Sequence, residues 1–593
     1  MGLLDILLLC GGLALFLYGI DIMRVGLEKI SGGKLHQTLE KLTSNIIKSI
    51  FLGATIAALT HSASATTVVV IGLVNAGILK LKQSIGVIMG ANIGTTITAQ
   101  ILRFETGVND NILIDLLAPR QLAPICAIVA ILIFTFSKKQ TSRNIGESLF
   151  GFSILFFGMI HMEDAVIALQ HHPQLSKIFV TLANPILGIL AGIVVTAILH
   201  SSAASVGILQ ALSATGQITY ATAYPIIMGQ NIGTCITPIM AGFGAKTDAK
   251  RASYVHLYFS IIGTIIFCII IYTFKHFIGI SFWDKAIDRG GIANFHTMFN
   301  VITTIIFIPF SWFLEKLTIW TIKGNKFEEE DDYDNTQQYL NSLDDRLLLS
   351  PGLALLKCEE TVLAMANNAN KNFKKSIQLL ENYNYHVVKK IRDRELLIDK
   401  MDDKLSNYLI KLSLEHLSEQ DSLKISDIFH NLSEFERISD HATNIANSLE
   451  VINRNKISFS ETAVKEISIL FAAVAEILDD AVEVYKSNNT ELAYNVEPLE
   501  QVVDAMKSTV KRRHIDRLKQ GICTIDSGII FLDILNNLAR ISDHCSNIAL
   551  YVIGRASHKE FNTHTYTKEL HEGKWEDYNN KYIHYTQKYY SIL

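Results

Sequence analysis

The chain has 593 residues, 49% of them hydrophobic and 19% charged, with a formal net charge of -4. That balance, without a basic motif, argues against a nucleic-acid partner, and the cysteine spacings suggest neither a disulfide framework nor a zinc site. The averages conceal two halves, a succession of apolar runs to about residue 320 and a remainder rich in Lys, Glu, Asp and Asn.

The first apolar run, from Leu3, lacks a basic leader and a small-residue cleavage site, so it is expected to be a retained span. Seven spans are expected, near 3–22, 84–103, 119–136, 146–162, 222–243, 253–274 and 295–320, close to the about 20 apolar residues that cross a bilayer. Segments 46–79 and 183–218 differ: Ser, Thr, Gly and a His interrupt them midway. They are expected to be re-entrant hairpins, because broken backbone at membrane depth is tolerated where it lines a cavity or is buried in protein.

The two interrupted stretches are copies. Gly53 to Leu79, followed by Gly86 to Ala99, recurs as Gly192 to Ile218, followed by Pro225 to Pro238. The offset of about 139 residues pairs His61 with His200, Ser62 with Ser201, Asn92 with Asn231 and Thr95 with Thr234, and extends back to Gly19/Gly158 and Met23/Met162. An odd number of spans lies between the copies, so they enter the membrane from opposite sides, the inverted-repeat plan of alternating-access transporters. Small residues also permit tight helix packing in lipid, but one packing motif does not require two coupled motifs repeated together.

Lys and Arg concentrate in the loops containing Arg24 to Lys82, Lys138 to Arg143, Lys246 to Arg251 and Lys316 to Lys326. The opposite loops contain Glu105, Asp110 and Asp115, and Glu163 with Asp164. The positive-inside rule then places the N-terminus outside and everything after 320 in the cytoplasm. No span carries an evident carboxylate for a proton relay, which favours sodium over proton coupling.

An acidic run, Glu328 to Asp332, reads as a solvated linker within 321–350. Ser350-Pro351 has the form of an N-cap followed by Pro at the first helical position. Long polar helical patterns follow to about 555 and contain a second repeat. Glu434 to Asn447 recurs as Asn537 to Leu550, about 103 residues later, which predicts two three-helix bundles. Asp399/Asp403, Glu436/Asp440 and Glu500/Asp504 are each four apart and share a helical face. Such like-charged faces suit a divalent cation with oxygen ligands, Mg, Mn or Fe, and Asp543 joins this candidate set. His441 and His544 are further candidates, and an ordinary solvated acidic face is the other reading. Ala539 replaces the carboxylate of Glu436 in the second copy, so its site is expected to be weaker. The tail, 556–593, carries Trp575, Tyr578, Tyr582, Tyr585 and Tyr589 as an aromatic stripe, expected to pack on the bundle or on another subunit.

The paired membrane stretches, with GANIGTT and GQNIGTC and the later Ile292 to Asn300, resemble the bacterial branch of the type II sodium–phosphate cotransporter family. The ERISDH and ARISDH stretches resemble the PhoU-type regulatory domain. The resemblance implies an all-α fold: a polytopic transporter at 1–320, its repeats meeting near residue 140, then a helical regulatory domain at 351–555. His61 and His200 stand where that family has Gln. It implies phosphate held between the tips by His61, Ser62, Ser64, Thr66, His200, Ser201, Ser202 and Ser205, with sodium at Asn92, Thr95, Thr96, Asn231 and Thr234. Expected partners are inorganic phosphate, sodium, the lipid bilayer of a bacterial plasma membrane, a second copy of the chain, and a phosphate-signalling protein. A membrane-anchored phosphate- or metal-responsive regulator, or a transporter of another small anion, is the rival reading. No nucleophile–base pair or nucleotide loop suggests an enzyme.

Overall fold

The computed structural model describes residues 3–31, 45–103, 119–137, 139–168, 173–323, 336–415, 417, 419–556, 563–572 and 575–593. The acidic run 328–332 and Lys34, Lys41, Glu105, Asp110, Asp115, Lys138 and Lys326 lie outside the described residues. The chain forms two compact units. One is Met1–Asp334 with Asn341–Ala354 and Glu415–Glu419, and the other is Asn335–Leu340, Leu355–Leu414 and Gln420–Leu593.

The first unit begins with α1 (Leu3–Ser31), which packs along α7 (Gln140–Ala168). The pairing follows from glycines: a Cβ on Gly19 would overlap the Leu155 backbone, and one on Gly158 would overlap that of Phe16. Small residues let the two backbones meet where lipid supplies no hydrophobic drive. Between these helices come α2 (Ile46–Thr60), α3 (Ala63–Asn75), α4 (Leu81–Gly94), α5 (Thr96–Leu102) and α6 (Pro119–Phe136). After α7 come α8 (Pro173–Leu182), α9 (Pro185–Leu199), α10 (Ser202–Ser213), α11 (Tyr220–Gly233) and α12 (Ile236–Ala241). They are followed by α13 (Thr247–Phe277), α14 (Arg289–Phe307) and α15 (Ser311–Thr321).

The two repeats fold alike. Asn45 and Asn184 cap α2 and α9, each side chain accepting from the backbone N–H two residues on. Helix α2 packs on α4, and α9 on α11. A Cβ on Gly90 or Gly229 would overlap the carbonyl of Ile50 or Ile189, respectively. The hairpins expected at 46–79 and 183–218 are therefore the pairs α2/α3 and α9/α10.

The seven expected spans are met in part, and the one expected at 119–136 is α6. Among the described residues four helical stretches, in α1, α4 with α5, α7 and α13, are long and apolar enough to cross a membrane, and a fifth is α14 with α15 if that bent pair is one span. The stretch expected at 222–243 breaks at Thr234–Cys235 into α11 and α12, and 295–320 bends by 83° at the break containing Pro309. Proline lacks the amide that would continue the helix. The sequence window saw apolar length and missed these two breaks and the one at Thr95, inside the stretch expected at 84–103.

The second unit consists of helices and short connections, with no strand among its described residues. Helices α16 (Pro351–Glu381), α17 (Tyr385–Ser413) and α18 (Glu419–Asn455) carry the first copy of the second repeat. The second copy is α19 (Glu461–Ser487), α20 (Val496–Lys519) and α21 (Ile525–Ala556). The tail forms α22 (Thr563–His571) and α23 (Glu576–Lys588), and α23 packs on α20. Tyr578, Tyr585 and Tyr589 are buried, while Trp575 is exposed. Of the two packings open to the stripe, the one on the bundle is present.

Candidate functional site: paired hairpin tips and an acidic cluster

Each hairpin turns at its histidine. His61 and His200 both adopt left-handed backbone, with φ of 51° and 52°, a conformation that polar residues such as His tolerate better than branched ones. The next residue, Ser62 or Ser201, is extended and caps the second half-helix. Ser62 Oγ accepts from the Ala65 amide (3.1 Å) and Ser201 Oγ from that of Ala204 (3.2 Å). Each His is pinned by a threonine from the following helix pair: His61 Nδ1 lies 2.9 Å from Thr98 Oγ1, and His200 Nδ1 3.2 Å from Thr237 Oγ1. The tips differ in environment, since His61 is buried and His200 exposed.

These contacts assign structural work to residues named for ligand binding, because both serines cap and both histidines terminate a helix. Ser64 does more, its hydroxyl donating to the Thr234 carbonyl (3.3 Å) and joining the first tip to the break in the second repeat. Thr66 donates to the Ser62 carbonyl (2.9 Å). Ser202 is buried, and Ser205 is buried with a hydroxyl that finds no partner among the described residues.

The residues named for the cation flank the helix breaks and are all buried. Asn92 Nδ2 donates to the Ile88 carbonyl, while its Oδ1 lies 3.0 Å from His256 Nε2 on α13. Asn231 Nδ2 donates to the Ile227 carbonyl, Thr234 to that of Gln230 and Thr96 to that of Ile93. Thr95 Oγ1 has no partner among the described residues.

Several buried polar side chains escaped the sequence reading. Gln230 Oε1, Asn300 Oδ1, both His296 ring nitrogens and the Thr303 and Thr304 hydroxyls are buried without partners among the described residues. Buried polar groups are normally satisfied, so such a concentration marks where water or a ligand sits. The signal was present, since 296, 300, 303 and 304 follow the helical period along α14 within an otherwise apolar run.

Glu163 also departs from expectation, lying inside α7 and not in a loop. Its side chain and that of Arg289 on α14 are each 8% exposed and ion-paired. Gln210 Nε2 donates to the carbonyls of Ala99 (3.1 Å) and Arg289 (3.2 Å), gathering α5, α10 and α14 at one point. The first unit therefore does hold a buried carboxylate, engaged by a guanidinium.

In the second unit, Glu395 and Asp399 of α17 and Asp440 of α18 each place a ligand atom within 4.8 Å of the others. Glu395, one turn before Asp399, completes this cluster and was missed. Asp403 is exposed on the same helix, and Glu436 is hydrogen-bonded to Asp440. Burial, then the charges of Asp399 and Asp440, push Glu395 up to about 7. Burial, then Asp440, does the same to Glu436, also to about 7.

The second copy gathers Glu500 with Glu497, Asp504 and Asp543. Burial and then those three charges push Glu500 up to about 8. Glu497, also missed, is buried and accepts from the Ser546 hydroxyl. The histidines are engaged elsewhere: His441 Nδ1 lies 2.8 Å from Asn537 Oδ1, His544 Nδ1 2.6 Å from Glu434 Oε2, and the two rings stack.

The Na+/Pi-cotransporter family model matches residues 15–164 and 166–283, and the PhoU domain model matches 362–449 and 467–552. The putative inorganic phosphate export protein YjbB of Escherichia coli (strain K12) is 22% identical over 570 residues, covering 94% of this chain and 99% of that protein. The uncharacterized protein YqeW of Bacillus subtilis (strain 168) is 28% identical over 297 residues, 50% of this chain and 91% of that one. Sodium-dependent phosphate transport protein 2A of Rattus norvegicus is 39% identical over 74 residues, 12% of each chain. Neither matched family is an enzyme family, and the apolar helices fit a membrane protein. Residues 15–283 thus match the Na+/Pi-cotransporter family, and the PhoU domain follows them in the polar half.

Proposed function

We propose that the chain moves inorganic phosphate across a bacterial plasma membrane, coupled to sodium and regulated by its PhoU domain. The observation that carries this reading is the matched pair of tips, each a left-handed His followed by a Ser-capped half-helix. Half-helix N-termini present unpaired amides and a partial positive charge to an anion. Ser62, Ser64, Ser201 and Ser202 add hydroxyls, while His61 and His200 hold the turns.

Sodium is taken by neutral oxygens near the breaks, with Thr95, Thr234 and the Asn92 and Asn231 amides as the donor set. Holding cation and anion together lowers the desolvation cost of each, which gives coupling a physical basis. The C-terminal unit faces the cytoplasm. A hard divalent cation fits Glu395, Asp399 and Asp440 there, because three converging carboxylates supply the oxygen ligands that Mg or Mn takes. When bound, it neutralises their mutual repulsion.

The test is flux of radiolabelled inorganic phosphate in proteoliposomes containing the full chain, with sodium gradients of either direction. Gradient-driven flux supports the reading, and its direction decides between uptake and export. Flux indifferent to sodium removes the coupling. Absence of flux, with phosphate or Mn still bound, favours the membrane-anchored regulator.

A further inference from the structure

A short helix, Thr336–Ser342, is followed by a 3-10 turn, Asp345–Leu349, capped by Asp344 and belonging to the first unit. This turn is fastened to both repeats. Asn75, the last residue of α3, donates from Nδ2 to Asp344 Oδ2 (2.5 Å). Leu347 is completely buried, and a Cβ on Gly72 of α3 would meet its Cδ2 at 2.9 Å. Arg346 fastens the other side: Nε donates to the Ala241 carbonyl (2.6 Å) and Nη2 to that of Phe243 (3.3 Å), while Nη1 pairs with Asp344 (2.8 Å). Asn75 Oδ1 also accepts from the Lys246 amide (2.7 Å), so the two repeats touch directly at this point.

Helix α3 carries the first tip at its N-terminus and Asn75 at its far end. Helix α12 runs from Ile236, next to its cap Cys235 at the second break, to Ala241, where Arg346 binds. Alternating access requires one repeat to move against the other, and a turn bonded to one repeat through Asp344 and to the other through Arg346 can persist in only one arrangement.

We propose that Asp344–Leu349 is a latch that holds the far ends of α3 and α12 together and must release during each cycle. Asn75 and Arg346 are its fixing points and act as positioning residues for transport. The latch lies where the chain passes toward the PhoU domain, so whatever pulls on that segment acts on the tips through α3 and α12. The functional part of this inference rests on the transporter reading, but the mechanical part is measurable without it.

The test uses the full-length protein, reading alkylation of the buried Cys235 by mass spectrometry and flux of radiolabelled inorganic phosphate in proteoliposomes. Arg346→Ala is expected to raise the Cys235 labelling rate about tenfold, the effect of losing a charge-assisted hydrogen bond from a two-state element. Maximal flux changes with it, while the KM for phosphate stays within about twofold, because no group that touches the anion has moved. Arg346→Lys restores part of the protection, since an ammonium cannot reproduce the guanidinium fork. Asn75→Ala combined with Arg346→Ala adds little to either alone. Labelling in both Arg346→Ala and Asn75→Ser within about twofold of the parent overturns the latch. No flux in the parent, with labelling still rising in the variants, overturns the transporter reading and leaves the latch standing.

Discussion

The acidic clusters of the PhoU domain make its stability depend on pH in the direction opposite to most proteins. Glu500 ionises at about 8 in the folded chain, chiefly because it is buried and secondarily because Glu497, Asp543 and Asp504 face it. In the unfolded chain a glutamate ionises near about 4.3. Between those values the folded protein holds a proton that the unfolded protein releases, so stability falls as pH rises through the window. The contribution of Glu500 alone is on the order of 4 kcal/mol lost between pH 5 and pH 8. Glu395 and Glu436, pushed up to about 7, act in the same direction, but Glu395 is more exposed and solvent screening reduces its share.

A divalent cation reverses the penalty by replacing the protons. At one hundred times its dissociation constant it stabilises by about 2.7 kcal/mol, and the gain shrinks at pH 5, where Glu395, Glu436 and Glu500 hold protons that the cation must displace. The assay is calorimetric unfolding of the full chain in detergent between pH 5 and 8, with and without Mn. The transition of the C-terminal unit is expected to fall with pH in chelator, to recover with Mn at pH 8, and to rise at pH 8 in Glu500→Gln without metal. A transition that rises steadily with pH in chelator, or a Glu500→Gln variant that melts lower, refutes the reasoning.

Ser62→Ala with Ser201→Ala removes two helix caps at about 1 kcal/mol each together with both tip hydroxyls. Phosphate flux is expected to vanish while the protein still inserts, and normal flux rejects the tips as the binding site. Glu163→Gln removes one charge of the buried ion pair with Arg289 and is expected to cost up to about 3 kcal/mol. Thermal unfolding in detergent measures this, and the paired Glu163→Leu/Arg289→Met change should recover most of the loss. Gly229→Ala drives a methyl into the Ile189 carbonyl and is expected to destabilise by more than about 2 kcal/mol. Gly11→Ala, with nothing within 4 Å of its Cβ, should be neutral in the same melting experiment.

Repetition made much of this protein legible. The offset of about 139 residues announced two copies of one half-domain, and Asn45/Asn184, His61/His200 and Gly90/Gly229 fold as matched pairs because identical local chemistry meets identical neighbours. The carboxylates of the polar half were readable in part, since spacing of four residues puts Asp399 and Asp403 on one face. Which members of that face meet the next helix is a matter of helix rotation. Glu395, and not Asp403, joins Asp440, because only one edge of an acidic stripe can turn toward its neighbour.

The chain by itself determined its elements, its repeats, its half-helix caps and its supply of polar groups, since these depend on neighbours within a turn or two. Tertiary structure alone decided that Glu163 lies buried against Arg289, that Ser64 reaches the Thr234 carbonyl, and that Arg346 reaches back to Ala241. Each of these contacts joins residues about a hundred or more positions apart. No local periodicity encodes such partners; they are set by how helices stack once small residues let their backbones approach.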